Sequence, residues 1–215
     1  MSGTELRITE IFYSLQGESK TIGHPTVFIR LTGCPLRCSY CDTAYAFTGG
    51  TVMTLAAILT EVTNYHSQFV TVTGGEPLAQ KGCCELLALL ADQDYDVSLE
   101  TSGALDISKV DSRVTKIMDL KTPDSGEEKR NLYSNLRYLG IDDQVKFVIG
   151  SAKDYRWSVD VLKKYSLAKQ CEVLFSPSMG KQNPTELADM ILKDRLPIRF
   201  QMQLHKILWG DEAGK

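Results

Sequence analysis

The chain has 215 residues, of which 43% are hydrophobic and 24% charged, and its net charge is −3. These values are typical of a folded globular protein, and we predict one domain over residues 1–215. The balance is slightly acidic, so it creates no global positive field for nucleic acid or for an anionic membrane. No apolar run approaches the roughly 18–20 residues of a membrane span. Neither nucleic acid nor a membrane is therefore an expected partner.

In chain order, β-branched and apolar runs alternate with helical patterns. The predicted strands are residues 7–13, 26–31, 69–72, 95–99, 114–120, 145–149, 172–175 and 198–204. Helices are predicted from Thr54, over 78–91, over the charged segment 125–138, over 153–165 and after Asn183. Such alternation indicates a parallel sheet with helices outside it. We predict an α/β fold, a partial and open (β/α) barrel of about six mostly parallel strands, reduced in helices.

Three cysteines, Cys34, Cys38 and Cys41, follow the predicted strand 26–31 with the spacing C-x3-C-x2-C. One loop of this kind can point three sulfurs at a common centre. A [4Fe–4S] cluster held by three cysteines keeps one iron open for a ligand. A zinc site would need a fourth ligand, such as His24, and usually presents two separated pairs. Unligated thiols are the third alternative. The spacing favours the open cluster. Because this cluster needs reducing conditions and no signal peptide pattern opens the chain, we expect a cytoplasmic protein.

Polar or glycine-rich segments follow the next three predicted strands. Thr73-Gly74-Gly75-Glu76-Pro77 comes first, Glu100-Thr101-Ser102-Gly103 second, and Lys121-Thr122-Pro123 third. Sites in parallel sheets collect at the carboxyl ends of the strands, so these segments are expected beside the cysteine loop. Each also has an ordinary interpretation, as a turn, a helix cap or a solvated strand end.

Two further residues near the cysteines are candidates for a site. Arg30 lies in an apolar strand, where an arginine needs an anionic partner: either a ligand carboxylate or a structural salt bridge. Thr43 carries a hydroxyl that could bind a hard cation such as Mg²⁺. From the residue type alone, capping or a loop hydrogen bond is the better interpretation of Thr43.

The cysteine spacing followed by Gly-Gly-Glu resembles the radical S-adenosylmethionine (SAM) enzymes. The resemblance implies that the open iron takes the amino and carboxylate groups of SAM, and that Gly-Gly-Glu holds the amino group. Tyr40 could stack on the adenine or simply pack on the core. The residues expected to bind this cofactor are Ser39, Tyr40, Gly75, Glu76, Thr101, Ser102 and Lys121.

The segments 10–18, 30–38 and 41–43 are similar to the 7-carboxy-7-deazaguanine synthases, and the similarity extends from about residue 7 to residue 206. This resemblance implies a Mg²⁺-dependent radical ring contraction of 6-carboxy-5,6,7,8-tetrahydropterin, with loss of ammonia and regeneration of SAM, in queuosine or deazapurine biosynthesis. It also implies that Thr43 binds Mg²⁺, against the capping interpretation. The expected substrate contacts are Leu15, Gln16, Gly17, Arg30 and Thr73. No protein side chain is expected to carry the radical chemistry. A homodimer and a flavodoxin-like electron donor are also implied.

Two alternative functions belong to other classes. A different short radical SAM enzyme, such as a glycyl-radical-enzyme activase, would act on a protein and would not need Gln16, Arg30 and Thr43. A zinc-stapled binding module would not be an enzyme and would be indifferent to SAM.

Overall fold

The computed structural model describes residues 3–210, 212 and 214–215, and these contain nine strands and five α-helices. The strands are β1 (Glu5–Leu15), β2 (Pro25–Leu31), β3 (Thr51–Thr54), β4 (Phe69–Gly74), β5 (Asp96–Thr101), β6 (Thr115–Asp119), β7 (Gln144–Ile149), β8 (Glu172–Pro177) and β9 (Arg199–Phe200). The helices are α1 (Leu55–Thr63), α2 (Cys83–Asp92), α3 (Ala152–Lys164), α4 (Pro184–Asp194) and α5 (Leu204–Trp209).

All nine strands form one open sheet in the order β3-β1-β2-β4-β5-β6-β7-β8-β9. From β2 onward each neighbouring pair is parallel, whereas β1 is antiparallel to both β2 and β3. The predicted α/β class and the open, mostly parallel sheet are confirmed. The expected count of about six matches only the parallel strands of five or more residues, because the sheet also includes the antiparallel β1 and the short edge strands β3 and β9.

Two hydrophobic clusters hold the helices to the sheet. The first joins α1 and α2 to β1, β2, β4 and β5, and the second joins α3 and α4 to β6, β7 and β8. Helix α1 begins where it was predicted, because the Thr54 hydroxyl caps the Ala57 N–H. In the second cluster Phe147 packs edge-on against Phe175 with ring centroids 5.4 Å apart. None of the helices in the described part of the chain is long and apolar enough to cross a bilayer.

The structure corrects three predicted elements. The segment 125–138 is not an α-helix: it contains the end of one 3₁₀ turn, Pro123–Ser125, and two further ones, Glu128–Arg130 and Tyr133–Tyr138, joined by irregular residues. The left-handed Gly126 ends the first turn, and the buried Asn135 side chain bonds loop carbonyls instead of facing solvent. Helix α2 starts five residues after the predicted position, since Pro77–Ala79 form a separate 3₁₀ turn. The predicted strand 198–204 shrinks to β9, and α5 follows it.

Candidate active site

A cavity of about 840 Å³ lies at the carboxyl ends of β2 and β4–β8. Every predicted site residue lines it except Glu76. The residues that line it are Leu15, Gln16, Gly17, Arg30, Cys34, Cys38, Ser39, Tyr40, Cys41, Thr43, Thr73, Gly75, Thr101, Ser102 and Lys121. The tertiary structure therefore brings together residues that the sequence places on separate strand ends. Parallel strands explain this result, because their carboxyl ends share one edge of the sheet.

The cysteine loop follows β2 and presents three free, half-buried thiols to the cavity. The Leu36 N–H donates to the Cys34 sulfur at 3.5 Å, and the Cys41 N–H donates to the Cys38 carbonyl at 3.2 Å. Burial raises the pKa of the Cys34 thiol, and it raises the pKa of the Cys38 thiol to about 11. Because iron binds cysteine as thiolate, cluster insertion must displace these protons.

The donor set fits a cluster better than a single ion. In the described part of the chain, no group of three or more His, Cys, Asp or Glu side chains is arranged to hold one metal ion. A zinc site needs its ligands around one atom, whereas each cysteine of a [4Fe–4S] cluster binds a different iron. Cys34, Cys38 and Cys41 nevertheless lie near enough to influence one another electrostatically. Three thiols that share one cavity at such spacing fit a cluster with an open iron.

The glycine turn after β4 packs directly on the cysteine loop. A Cβ atom on Gly75 would lie 2.3 Å from the Gly33 carbonyl oxygen and 2.8 Å from the Cys34 Cβ. The Gly75 N–H donates to the Leu31 carbonyl, and the Glu76 N–H donates to the Gly33 carbonyl at 2.8 Å. Only a glycine leaves room for this approach, so the turn and the loop form one unit.

Glu76 is the predicted site residue that lies outside the cavity lining. Its side chain is fully buried behind the cavity wall, where the carboxylate accepts hydrogen bonds from the Thr101 hydroxyl at 2.9 Å, the Ser102 N–H at 2.7 Å and the Ser102 hydroxyl. It also accepts from the Leu78 N–H. A carboxylate with this many donors is already satisfied. Its side chain positions Thr101 and Ser102, which do line the cavity.

The other predicted cofactor residues surround the cysteines. Ser39 is tied to the turn after β6, since its N–H donates to the Ser125 carbonyl at 2.9 Å. Burial raises the pKa of Tyr40 to about 12, so its hydroxyl is neutral. Lys121 lies 3.1 Å from the Asp119 carboxylate. Burial alone would lower the pKa of Lys121, but Asp119 raises it above its ordinary value, so the ammonium stays charged.

The predicted substrate residues lie on β1 and in the turn after it, on β2 and on β4. The Arg30 Nε donates to Glu10 at 2.7 Å, and its guanidinium lies 5.5 Å from the Phe12 ring and 5.8 Å from the Tyr45 ring. The salt-bridge interpretation of Arg30 is therefore observed, although the residue also lines the cavity. An arginine fork has five N–H donors, so one bond to Glu10 does not prevent a second anion from binding.

Thr43 begins the 3₁₀ turn Ala44–Phe47, yet its side chain makes no capping hydrogen bond. Its hydroxyl lies 3.8 Å from the Cys41 sulfur and faces the cavity. Thr43 therefore does not cap the turn, whereas its hydrogen bond with the Cys41 sulfur is the loop hydrogen bond that the residue type also allowed.

Sequence reasoning missed an ionic network on the cavity floor. Lys146 lies 2.6 Å from Glu18 and 3.6 Å from Asp119, and Glu18 also accepts from the Gln203 amide at 2.8 Å. Burial would raise the pKa of Glu18, but the attraction of Lys146 and these hydrogen bonds lower it below the ordinary value. Burial raises the pKa of the neighbouring Glu100. Lys146 could have been found, because it is the one cation in the apolar strand β7.

The C-terminal segment forms a wall of the cavity, and His205 and Lys206, whose roles the sequence left open, are part of it. The Leu204 N–H donates to the Gly17 carbonyl at 2.9 Å. A Cβ atom on Gly17 would meet the His205 ring at 2.1 Å. The absence of a side chain at Gly17 therefore allows His205 to pack against the turn after β1.

Known proteins resemble this chain over nearly its whole length. The model of the Radical SAM superfamily matches residues 28–192. The 7-carboxy-7-deazaguanine synthase of Chlorobaculum tepidum is 42% identical, covering 97% of this chain and 96% of the relative, and that of Koribacter versatilis is 38% identical, covering 97% and 99%. The crystal structure of QueE from Escherichia coli has the same fold, with a TM-score of 0.77 at 24% identity over 94% of this chain and 95% of that one. The chain belongs to the 7-carboxy-7-deazaguanine synthase family of the Radical SAM superfamily.

Proposed function

We propose that this chain is a radical SAM lyase that converts 6-carboxy-5,6,7,8-tetrahydropterin to 7-carboxy-7-deazaguanine, with release of ammonia, in queuosine or deazapurine biosynthesis. The observation that carries the proposal is the single cavity that holds the three cysteines and every predicted substrate residue. The names of the relatives support the same reaction. The proposal extends to a cytoplasmic homodimer that receives electrons from a flavodoxin-like donor.

Cys34, Cys38 and Cys41 would hold the [4Fe–4S] cluster. When bound, the cluster and SAM supply the radical that starts the ring contraction. The protein itself would bind and orient SAM and the substrate, and would exclude water from them. Gly75 and the hydroxyls of Thr101 and Ser102 lie on the cofactor side of the cavity in this assignment.

The predicted substrate residues would bind the pterin and its carboxylate. Gln16 is fixed by a hydrogen bond from its amide nitrogen to the Thr71 hydroxyl at 3.1 Å, and Thr73 donates to Glu100 at 2.9 Å. Arg30 provides a cation for the substrate carboxylate. Thr43 would share a Mg²⁺ ion with that same carboxylate, because Mg²⁺ prefers oxygen ligands and often includes substrate oxygens.

The decisive experiment starts with anaerobic purification and analysis of iron, sulfide and zinc. About four irons and four sulfides per chain are expected. Incubation with SAM, dithionite, Mg²⁺ and the carboxytetrahydropterin should produce an ultraviolet-absorbing deazaguanine without proportional consumption of SAM. Cleavage of SAM without this product would refute the substrate and favour an activase. Stoichiometric zinc without iron would refute the enzyme.

A pair of variants tests the site itself. Arg30→Gln should abolish most turnover, because it removes the cation proposed to bind the substrate carboxylate. Arg113→Gln is the matched control: Arg113 also forms ion pairs, with Asp92 and Asp111, but its side chain is 51% exposed and is not part of the cavity lining. Equal activities of the two variants would contradict the assignment of Arg30.

A further inference from the structure

Asp154, in the first turn of α3, is a fully buried carboxylate that does not line the cavity. Its Oδ1 accepts from the Asp124 N–H at 2.9 Å, and its Oδ2 accepts from the Gly150 N–H at 2.9 Å. The Thr122 hydroxyl is 3.1 Å from the same Oδ2. Asp154 thus joins the end of β7 to the turn that follows β6. Burial of a carboxylate is unfavourable unless hydrogen bonds satisfy it. The three donors are therefore held at fixed positions around Asp154.

The turn that is bonded to Asp154, residues 122–125, also forms hydrogen bonds with the cysteine loop. The Asp124 carbonyl accepts from the Ser39 hydroxyl at 2.6 Å, and the Ser125 carbonyl accepts from the Ser39 N–H at 2.9 Å. Just after this turn, Glu127 accepts from the Arg37 N–H at 2.5 Å. Arg37 and Ser39 are the residues on either side of Cys38. Both neighbours of the middle cysteine are therefore anchored to the segment that follows β6.

We propose that Asp154 is a positioning residue for the cluster site, which acts through the turn 122–125 and Ser39 to fix the segment between Cys38 and Cys41. The inference rests on the cluster assignment but not on the identity of the substrate. Asp154 itself does not line the cavity. It fixes the turn whose carbonyls bond Ser39. In this way it determines the position of the Cys38 sulfur and the orientation of Ser39 and Tyr40 toward the cofactor.

The test compares Asp154→Asn with Asp143→Asn. Asp143 is also buried, and its carboxylate also accepts from two backbone N–H groups, those of Lys116 and Gly140, each at 2.7 Å. It lies just before β7, at the opposite end of the sheet from the cavity. Both variants keep the size of the side chain and replace one acceptor oxygen by an amide, so both lose stability. Only Asp154→Asn should disturb the cluster site.

Three readouts separate positioning from general destabilisation. In the apoprotein, hydrogen exchange of the peptide containing Ser39 should accelerate in Asp154→Asn and not in Asp143→Asn. In the reconstituted protein, iron should pass to a chelator several-fold faster in Asp154→Asn alone. The SAM-induced change in the electron paramagnetic resonance signal of the reduced cluster should require several-fold more SAM in Asp154→Asn than in Asp143→Asn.

Ser39→Ala is the second test, because it removes the hydroxyl contacts to the Asp124 carbonyl and to Lys181 without touching the buried Asp154 carboxylate. If Asp154 acts through Ser39, the peptide containing Ser39 should exchange about as fast in the double variant as in Asp154→Asn alone. Multiplying effects in the double variant would overturn the route through Ser39. Identical exchange, iron release and SAM response in Asp154→Asn and Asp143→Asn would overturn the proposal. None of these readouts requires pterin turnover, so failure of the proposed substrate and failure of the positioning role are distinguishable.

Discussion

Replacement of Glu18 by glutamine should destabilise the apoprotein through its ion pair with Lys146. The two side chains lie 2.6 Å apart and are only 10% and 13% exposed. Removing one partner of a buried pair costs about 3–5 kcal/mol when the remaining charge has no other partner. Lys146 keeps Asp119 at 3.6 Å, so we expect a smaller loss of about 2 kcal/mol. In a chain of this length that loss lowers the melting temperature by about 4–8 °C.

The stabilisation by Glu18 should depend on pH. Because the folded-state pKa of Glu18 is lowered, the stabilisation is present above the ordinary glutamate pKa and is lost as the pH falls through the folded-state value. The difference between wild type and Glu18→Gln, measured by circular dichroism melts, should therefore be full at pH 7 and shrink below about pH 4. Asp142→Asn is the control, since it removes an exposed ion pair with Lys20 and should cost less than about 1 kcal/mol. An effect of Glu18→Gln at pH 7 no larger than that of the control would refute the reasoning.

Three other variants test separate parts of the site. Glu100→Gln should raise the melting temperature at pH 8 and have little effect near pH 4. Burial raises the pKa of Glu100, so the folded state is destabilised as the pH rises through the folded-state pKa. A lower melting temperature of the variant at pH 8 would contradict this. Gly75→Ala should reduce the iron bound after reconstitution by at least about half, because the new methyl group overlaps the Cys34 Cβ; full iron loading would show that the turn can move. Gly17→Ala should displace His205 and raise the KM for the pterin several-fold, with a change in melting temperature below about 4 °C; unchanged KM would remove the C-terminal segment from substrate binding.

The local signals in the sequence predicted most elements well. Thr54 and Asn183 cap α1 and α4 through their side chains, as their residue types indicated. The apolar runs of β2, β4 and β7 appear as buried strands. The helix expected over 125–138 does not form, because its charged pattern reflects only local propensity. In the folded protein, the buried Asn135 of this segment instead donates hydrogen bonds to carbonyls of a neighbouring loop. Propensity cannot anticipate hydrogen bonds to residues about 30 positions away.

What the sequence determined by itself was the chemistry at the strand ends. Three local features of the sequence mark the site: the spacing of the cysteines, the glycines before Glu76, and the charged Arg30 in an apolar strand. Glycines allow close backbone contacts, and a buried charge needs a partner, so each feature indicates more than a structural role. Only the tertiary structure decided which side of the cavity wall each group occupies. Glu76 lies behind that wall, and Glu18 meets Lys146 across 128 positions of the chain. Such pairings depend on how the strands and the C-terminal segment pack. Residues that are distant in the sequence become neighbours only when the sheet has formed, and only then do buried charges lie close enough to pair.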